Sequence, residues 1–224
     1  MTIAPRHVTR ITNAIGFTVF GAYAVYTLSK MPAVGIFLAP TLLMEIGIAI
    51  SFLIRDEPRI ATKSVRARIS AYAGSFLMIA FLQIAQRTHP EWFALHLTPL
   101  TPVGIALWFA GMVLTAYAVW HLRYCFSIEP AARRLVTSGP YGFARHPIYT
   151  GYVIQYLGML ITLPSWPLGV ALLVWTAPMI DRMYLEEAVL RAAFPEYAVY
   201  QRKVGALGPL PFRRARQQRE VASV

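Results

Sequence analysis

The chain is poor in charge, poorer still in acidic residues, and nearly devoid of cysteine. Only 14% of its 224 residues are Asp, Glu, Lys or Arg, against about 25% in an ordinary soluble domain, which argues against a solvated globular fold. The lone Cys125 excludes an intrachain disulfide, and without a second cysteine or a Cys-His cluster there is no soft metal site to expect. No internal repeat, low-complexity tract or second-domain boundary interrupts the sequence. Nothing resembles the inverted repeat or matched broken helices of a transporter, which sets aside a non-catalytic membrane carrier. Acidic residues number 10 against 21 Lys and Arg, for a formal charge of +11. In a soluble protein that balance would suggest nucleic acid, but here its distribution explains it.

What the chain does have is apolar length. Hydrophobic residues make up 57% of it, gathered into six runs of roughly 20 residues, the length that spans a bilayer as helix. They cover Ile11 to Ser29, Ala33 to Ile54, Ile69 to Gln86, Pro102 to Leu122, Ile148 to Leu163, and Trp166 to Met183. The last two are shorter and separated only by L-P-S-W-P, so they count as two spans or as one broken, re-entrant hairpin. The fold expected is all-α, a polytopic integral membrane protein of five or six transmembrane helices. The first run is long for a signal-peptide core and lacks a small-residue cleavage site, so it reads as a retained span.

Basic residues crowd alternate connections. Arg6 and Arg10 precede span 1, Arg55, Arg59, Lys63, Arg66 and Arg68 follow span 2, and Arg123, Arg133, Arg134 and Arg145 follow span 4. Arg202, Lys203, Arg213, Arg214, Arg216 and Arg219 follow span 6, while the intervening loops hold only Lys30, Arg87 and histidines. This positive-inside pattern puts both termini in the cytoplasm. It also suits anionic membrane lipids, at about 1 kcal/mol per well-placed base, so no nucleic-acid partner is expected. Within the spans, Glu45 stands out: an ionisable group at bilayer depth needs a partner or a function, and Gln83 or Gln86 of span 3 is the expected partner. His89 and His96 lie among Trp92 and Phe93 on the side opposite the basic loops, which fits an aromatic interfacial anchor rather than a metal site. The loop after span 2 reads as a solvated connector, and Trp120 and Tyr124 as interface anchors.

Chemistry concentrates in Leu135 to Gly151, L-V-T-S-G-P-Y-G-F-A-R-H-P-I-Y-T-G. Proline disfavours helix in the residue before it and suits the first helical position, so His146-Pro147 marks where span 5 begins. A helix N-terminus at the cytoplasmic rim offers N-H groups to an anion, with Arg145 and His146 adding donors and Gly151 letting a ligand approach. A helix cap touching lipid headgroups is the plainer reading of the same residues. The complement lies beyond span 6, in D-R-M-Y-L-E-E-A-V-L-R-A-A-F-P-E-Y-A-V-Y. The helix there runs on with an apolar stripe of Leu185, Val189, Leu190 and Phe194, and carries adjacent Glu186 and Glu187. Their i,i+4 pairs with Arg182 and Arg191 are worth only about 0.2 to 0.5 kcal/mol each, so a cationic or polyhydroxyl ligand explains two carboxylates better than stability does. From Pro195 a short helix puts Tyr197, Tyr200 and Val204 on one face, as a cover.

These two motifs, in this order and separation, resemble the isoprenylcysteine carboxyl methyltransferase family, whose C-terminal half is shared with phospholipid N-methyltransferases and small thiol methyltransferases. The resemblance covers roughly Leu135 to Pro211. It implies S-adenosyl-L-methionine bound at the cytoplasmic surface in a pocket of the C-terminal half, and a lipid-like acceptor entering from the bilayer. Carried over, Tyr141, Arg145, His146, Pro147, Tyr149 and Gly151 line the cofactor pocket, and Glu186 and Glu187 bind its hydroxyls or amino group. Arg182 and Arg202 stand nearby as catalytic candidates with the two glutamates; no metal is implied. Members commonly have glycine in place of Pro195 and Val-Pro in place of Val204-Gly205. The organisation expected is one membrane domain: scaffold 1–134, methyltransferase-like half 135–211, polar tail 212–224. A sterol-type reductase resembles the chain in its own R-H-P-N-Y stretch, but position 148 here is isoleucine and paired glutamates ill suit a phosphate-rich NADPH.

Overall fold

The structure is a computed structural model that describes residues 6–34, 39–62, 64–94 and 96–209; the expected polar tail lies outside them. Seven α-helices occur among these residues: α1 Arg6–Val34, α2 Ala39–Ile54, α3 Val65–Thr88, α4 Thr101–Leu122, α5 Pro147–Thr162, α6 Trp166–Ala193 and α7 Tyr197–Lys203. The predicted apolar runs align in order with the first six, except that Ala33 to Ile54 opens on the last residues of α1 and crosses 35–38, outside the described residues, before α2. Of these, α3, α4 and α6 are long and apolar enough to cross a membrane, and Pro40–Ile54 is a shorter apolar helix.

Local signals account for the helix ends. Helix α3 starts at Val65, four residues before the hydropathic run, because the Ser64 side chain accepts from the Ala67 N-H and caps it. Prolines occupy the first turn of α4, α5 and α6, where a missing N-H costs nothing. Helix α5 begins at Pro147 with His146 as its non-helical cap residue, as the sequence predicts. Helix α6 continues unbroken past Met183 to Ala193 despite Pro178 inside it. A 3-10 turn over Gly139–Gly142 precedes α5. Gly139 sits there at φ 58 with His121 against its Cα, so the position requires both the left-handed conformation and the absence of a side chain.

Helix α4 packs along α5, α3 along α6, and α2 between α1 and α4, whereas the sequential neighbours α5 and α6 touch only slightly. Small residues bring α4 and α5 together. A Cβ on Gly151 would meet the Gly111 carbonyl at 2.8 Å, and one on Gly104 would meet Thr162 and Ile161. Without a hydrophobic force between helices in lipid, such close backbone approach supplies the packing. Trp175 of α6 donates to the Gly74 carbonyl of α3 at 2.9 Å, and Asp181 of α6 takes hydrogen bonds from Arg66 and Ser70 of α3. Trp120, expected as an interface anchor, instead donates to the Leu43 carbonyl of α2 at 3.1 Å.

One feature departs from an all-helical expectation. Ile60–Ala61 (β1) and Ala131–Ala132 (β2) form a two-residue antiparallel ladder. The loop after α2, expected as a solvated connector, therefore docks on the loop after α4. Asp56 cements it: its N-H donates to the Tyr124 carbonyl, its carbonyl accepts from Arg133 Nε at 2.7 Å, and its carboxylate pairs with Arg134. The basic loops thus build one connected structure at the end of the bundle where α6 and α7 also meet.

Candidate functional site

A cleft opens between these joined loops, the start of α5 and the distal part of α6, with about 1130 Å³ of space counting its open mouth. Tyr141, Arg145, His146, Pro147, Tyr149, Arg182 and Glu186 all line it, so the structure brings together most of the residues the sequence singles out. Its rim carries Arg133 and Arg134, and its inner part is apolar, with Phe20, Met44, Ile48, Phe76 and Ile79. A second cavity continues inward and shares Met44, Ser75, Ile79 and Tyr152 with it. That one is lined by Glu45, 1% exposed, with Gln83 and Gln155. Gln83 donates to Tyr23 at 3.4 Å, and Gln86 is exposed.

The two adjacent glutamates do different things. Glu186 faces the cleft with its side chain 22% exposed, while that of Glu187 is 5% exposed. Tyr149 OH donates to Glu186 Oε1 at 2.7 Å, and Arg182 Nε to the same oxygen at 2.8 Å. The Arg182 guanidinium is itself fixed by Ser75 Oγ at 2.6 Å and by the Ala71 and Ser127 carbonyls. Both hydrogen bonds fall on Oε1, while Oε2 lies 3.8 Å from His146 Nδ1. Glu186 is thus a pre-oriented acceptor, with its charge balanced by Arg182.

Glu187 turns inward and does not line the cleft. Its Oε1 accepts from Arg145 Nε at 2.8 Å and lies 3.1 Å from His146 Nε2. Its Oε2 accepts from Gln201 Nε2 at 2.7 Å and from Arg191 at 3.5 Å. Arg145 also donates through Nη1 to the Val204 carbonyl at 2.5 Å and the Gln201 carbonyl at 3.2 Å. The N-H groups of Arg145 and His146 go to the Gly205 and Ala206 carbonyls, both at 2.9 Å. Those of Tyr149 and Thr150 close on the His146 carbonyl. These donors, expected to face a ligand anion, are therefore spent on the chain itself: Glu187 and Arg145 clamp the segment after α7 onto the start of α5. His146 stacks on Tyr149, ring centroids 5.2 Å apart at 2°.

Helix α7 completes the clamp. Val189, Phe194, Tyr197, Tyr200 and Ala132 form a buried apolar cluster, and Tyr200 OH donates to the Tyr141 carbonyl at 2.5 Å. Burial raises the phenols of Tyr141 and Tyr197 and pushes that of Tyr200 up to about 12. All three stay protonated at neutral pH and act as donors or packing, not as bases.

Two expected site residues lie elsewhere. Gly151 faces α4, where the Gly111 carbonyl and Thr115 leave no room for a Cβ; it serves helix packing, not ligand approach. Gly151→Val should cost about 1 to 3 kcal/mol through overpacking, read as a lower melting temperature in detergent, while the folded fraction keeps wild-type ligand affinity. Arg202 is exposed on α7 and does not line the cleft.

One cleft residue escapes the sequence reading. Arg133 is 5% exposed, its Nε is bound to the Asp56 carbonyl, and its Nη1 has no hydrogen-bond partner. Burial pushes this guanidinium down to about 10, beside the similarly lowered Arg55. In the sequence Arg133 and Arg134 read alike, and only long-range contacts separate them, the Asp56 carbonyl taking Arg133 Nε and the Asp56 carboxylate pairing with Arg134. Among the described residues no group of three or more His, Cys, Asp or Glu is placed to hold a metal ion.

Comparison with known proteins adds an independent line. A sequence model of the family described as phospholipid methyltransferase matches residues 100–197, which run from the start of α4 into α7. The protein-S-isoprenylcysteine O-methyltransferase of Tribolium castaneum is 28% identical over 165 residues, covering 69% of this chain and 53% of that one. The cobalt-zinc-cadmium resistance protein CzcN of Cupriavidus metallidurans is 31% identical over 123 residues, covering 54% of this chain and 55% of that one. The chain spans about half the length of the curated relatives it matches.

Proposed function

We propose, from the premise that the chain belongs to the isoprenylcysteine methyltransferase-like family of membrane methyltransferases, that it moves a methyl group from S-adenosylmethionine to a hydrophobic acceptor in the bilayer. The observation that carries this reading is Glu186: a carboxylate held at one oxygen by Tyr149 and Arg182, its other oxygen bonded to neither and 3.8 Å from His146 Nδ1, in a cleft whose rim is basic and whose interior is apolar. The cofactor is zwitterionic, with an ammonium group, a carboxylate and ribose hydroxyls. Glu186 suits the ammonium or the hydroxyls, and a cationic rim suits the carboxylate.

When bound, S-adenosylmethionine supplies an electrophilic methyl group on a sulfonium. The chain's own contribution is then binding, alignment and exclusion of water. Arg182 and Tyr149 hold Glu186 in one rotamer, so no reorganisation is needed when a ligand arrives. The rings of Tyr149 and Tyr152 line the cleft and suit a nearby cation by their π faces. Glu187, Arg145 and His146 act beneath the site as positioning residues, since they fix the α5 start to the segment after α7. For an anionic acceptor, a prenylcysteine-type carboxylate being the one most resembled, no base is required. An amine acceptor needs a proton sink, and Glu186 is the group in place.

The basic loops that rim the cleft put it at the cytoplasmic face by the positive-inside rule. Six helices crossing the bilayer, with both termini on that side, is the arrangement that fits. The apolar inner end, leading to the Glu45 chamber, is the route we assign to the acceptor. The test is ligand choice by the purified protein in detergent. S-adenosylhomocysteine should bind and NADPH should not; the reverse preference would put the sterol-reductase reading in its place.

A further inference from the structure

We propose that Arg133 is the anion-holding residue of the cleft, taking the carboxylate or phosphate of a bound ligand through the guanidinium edge that carries Nη1. This rests on the reading of the cleft as the site of methyl transfer, and it moves the anion contact away from Arg145.

Three observations carry it. Arg133 lines the cleft while 95% shielded from solvent, and Nη1 has no partner in the protein. A guanidinium taken out of water without a counter-charge is costly, and such groups are paired or serve a ligand. Of the nearby carboxylates, Asp56 pairs with Arg134 and reaches Arg133 only through space, and Glu129 is bound to Arg68 and Tyr72. Finally, Arg145, the other cleft arginine at the α5 start, already has its Nε on Glu187 and its Nη1 on the Gln201 and Val204 carbonyls. Arg133 is also pre-positioned, because Nε is anchored on Asp56, whose loop is pinned by the β1–β2 ladder. An arginine fixed at one edge and unpaired at the other needs little reordering to accept a carboxylate.

The anion has two candidate sources, the amino-acid end of the cofactor and the headgroup of an acidic acceptor. Paired probes with and without that anion separate them. For the cofactor the pair is S-adenosylhomocysteine and 5′-methylthioadenosine, which lacks the amino-acid carboxylate. For the acceptor the pair is dodecanoate and dodecanamide. Dissociation constants are measured on full-length protein in a neutral detergent, for wild type, Arg133→Gln and Arg133→Lys, with melting curves confirming that each variant is folded.

Arg133→Gln should weaken the charged member of one pair about tenfold or more and leave its neutral member unchanged, with Arg133→Lys recovering part of the loss. The pair that responds identifies the source. If both charged probes bind Arg133→Gln as they bind wild type, the proposal is overturned. Failure of S-adenosylhomocysteine to bind even the wild type would instead remove the cofactor reading, and the dodecanoate pair would still decide whether Arg133 holds an anion.

Discussion

Glu187→Ala should lower the melting temperature of the detergent-purified protein by about 10 °C or more, the largest stability loss we expect from any single cleft-side substitution. Removing one partner of a buried ion pair costs about 3 to 5 kcal/mol, because the other charge is left desolvated and alone. Here two groups are orphaned together, the Arg145 guanidinium and His146, with side chains 11% and 6% exposed. Gln201 and Arg191 lose the second oxygen. What comes apart is the clamp that ties 204–206 to the α5 start, so limited proteolysis should cut after α7 in the variant and not in the wild type. Glu187→Gln keeps an acceptor oxygen and should fall between the two. A melting temperature within about 2 °C of wild type for Glu187→Ala would mean that Glu187 is not the buried keystone described.

Glu186→Gln should show the reverse balance, costing less stability than Glu187→Ala and weakening ligand binding. The amide oxygen still accepts from Tyr149 and Arg182, and Arg182 keeps its bonds to Ser75, Ala71 and Ser127. What is lost is the charge, both that offered to the cleft and that facing Arg182. A hydrogen bond to a charged group is worth about 1.5 to 3 kcal/mol, so the dissociation constant for S-adenosylhomocysteine should rise roughly tenfold to a hundredfold. Calorimetric titration beside a melting curve reads both quantities from one preparation. The contrast between the neighbouring variants is itself the result: stability at Glu187, affinity at Glu186.

The sequence could not make that contrast, for a geometric reason. Adjacent helical residues point about 100° apart, and which of Glu186 and Glu187 meets solvent depends on where α3, α5 and α7 pack. Local grammar was legible wherever one residue decides the matter. Pro147 fixed the start of α5, and the apolar runs fixed the positions of α1 to α6. What periodicity missed were long-range backbone pairings: the β1–β2 ladder, and the 204–206 carbonyls that consume the Arg145 and His146 N-H groups. Those pairings turned Arg145 from a ligand donor into a clamp. They also docked the loop after α2 on the cleft-lining segment 125–134 and left Arg133 with a buried nitrogen that has no hydrogen-bond partner. Gly151 misled for a related reason: a glycine near a site and a glycine in a helix seam look alike until the partner helix is known.

The most direct measurement is methyl transfer itself. Membranes containing the wild-type protein, the Glu186→Gln variant or neither are given S-adenosylmethionine labelled on its methyl group, and the organic-soluble fraction is counted and resolved by mass spectrometry. Label entering a hydrophobic product with the wild type, and not with Glu186→Gln or the empty membranes, is the predicted result. Label that appears equally with Glu186→Gln would contradict the assignment of the cleft, and no protein-dependent label under any condition would contradict methyl transfer.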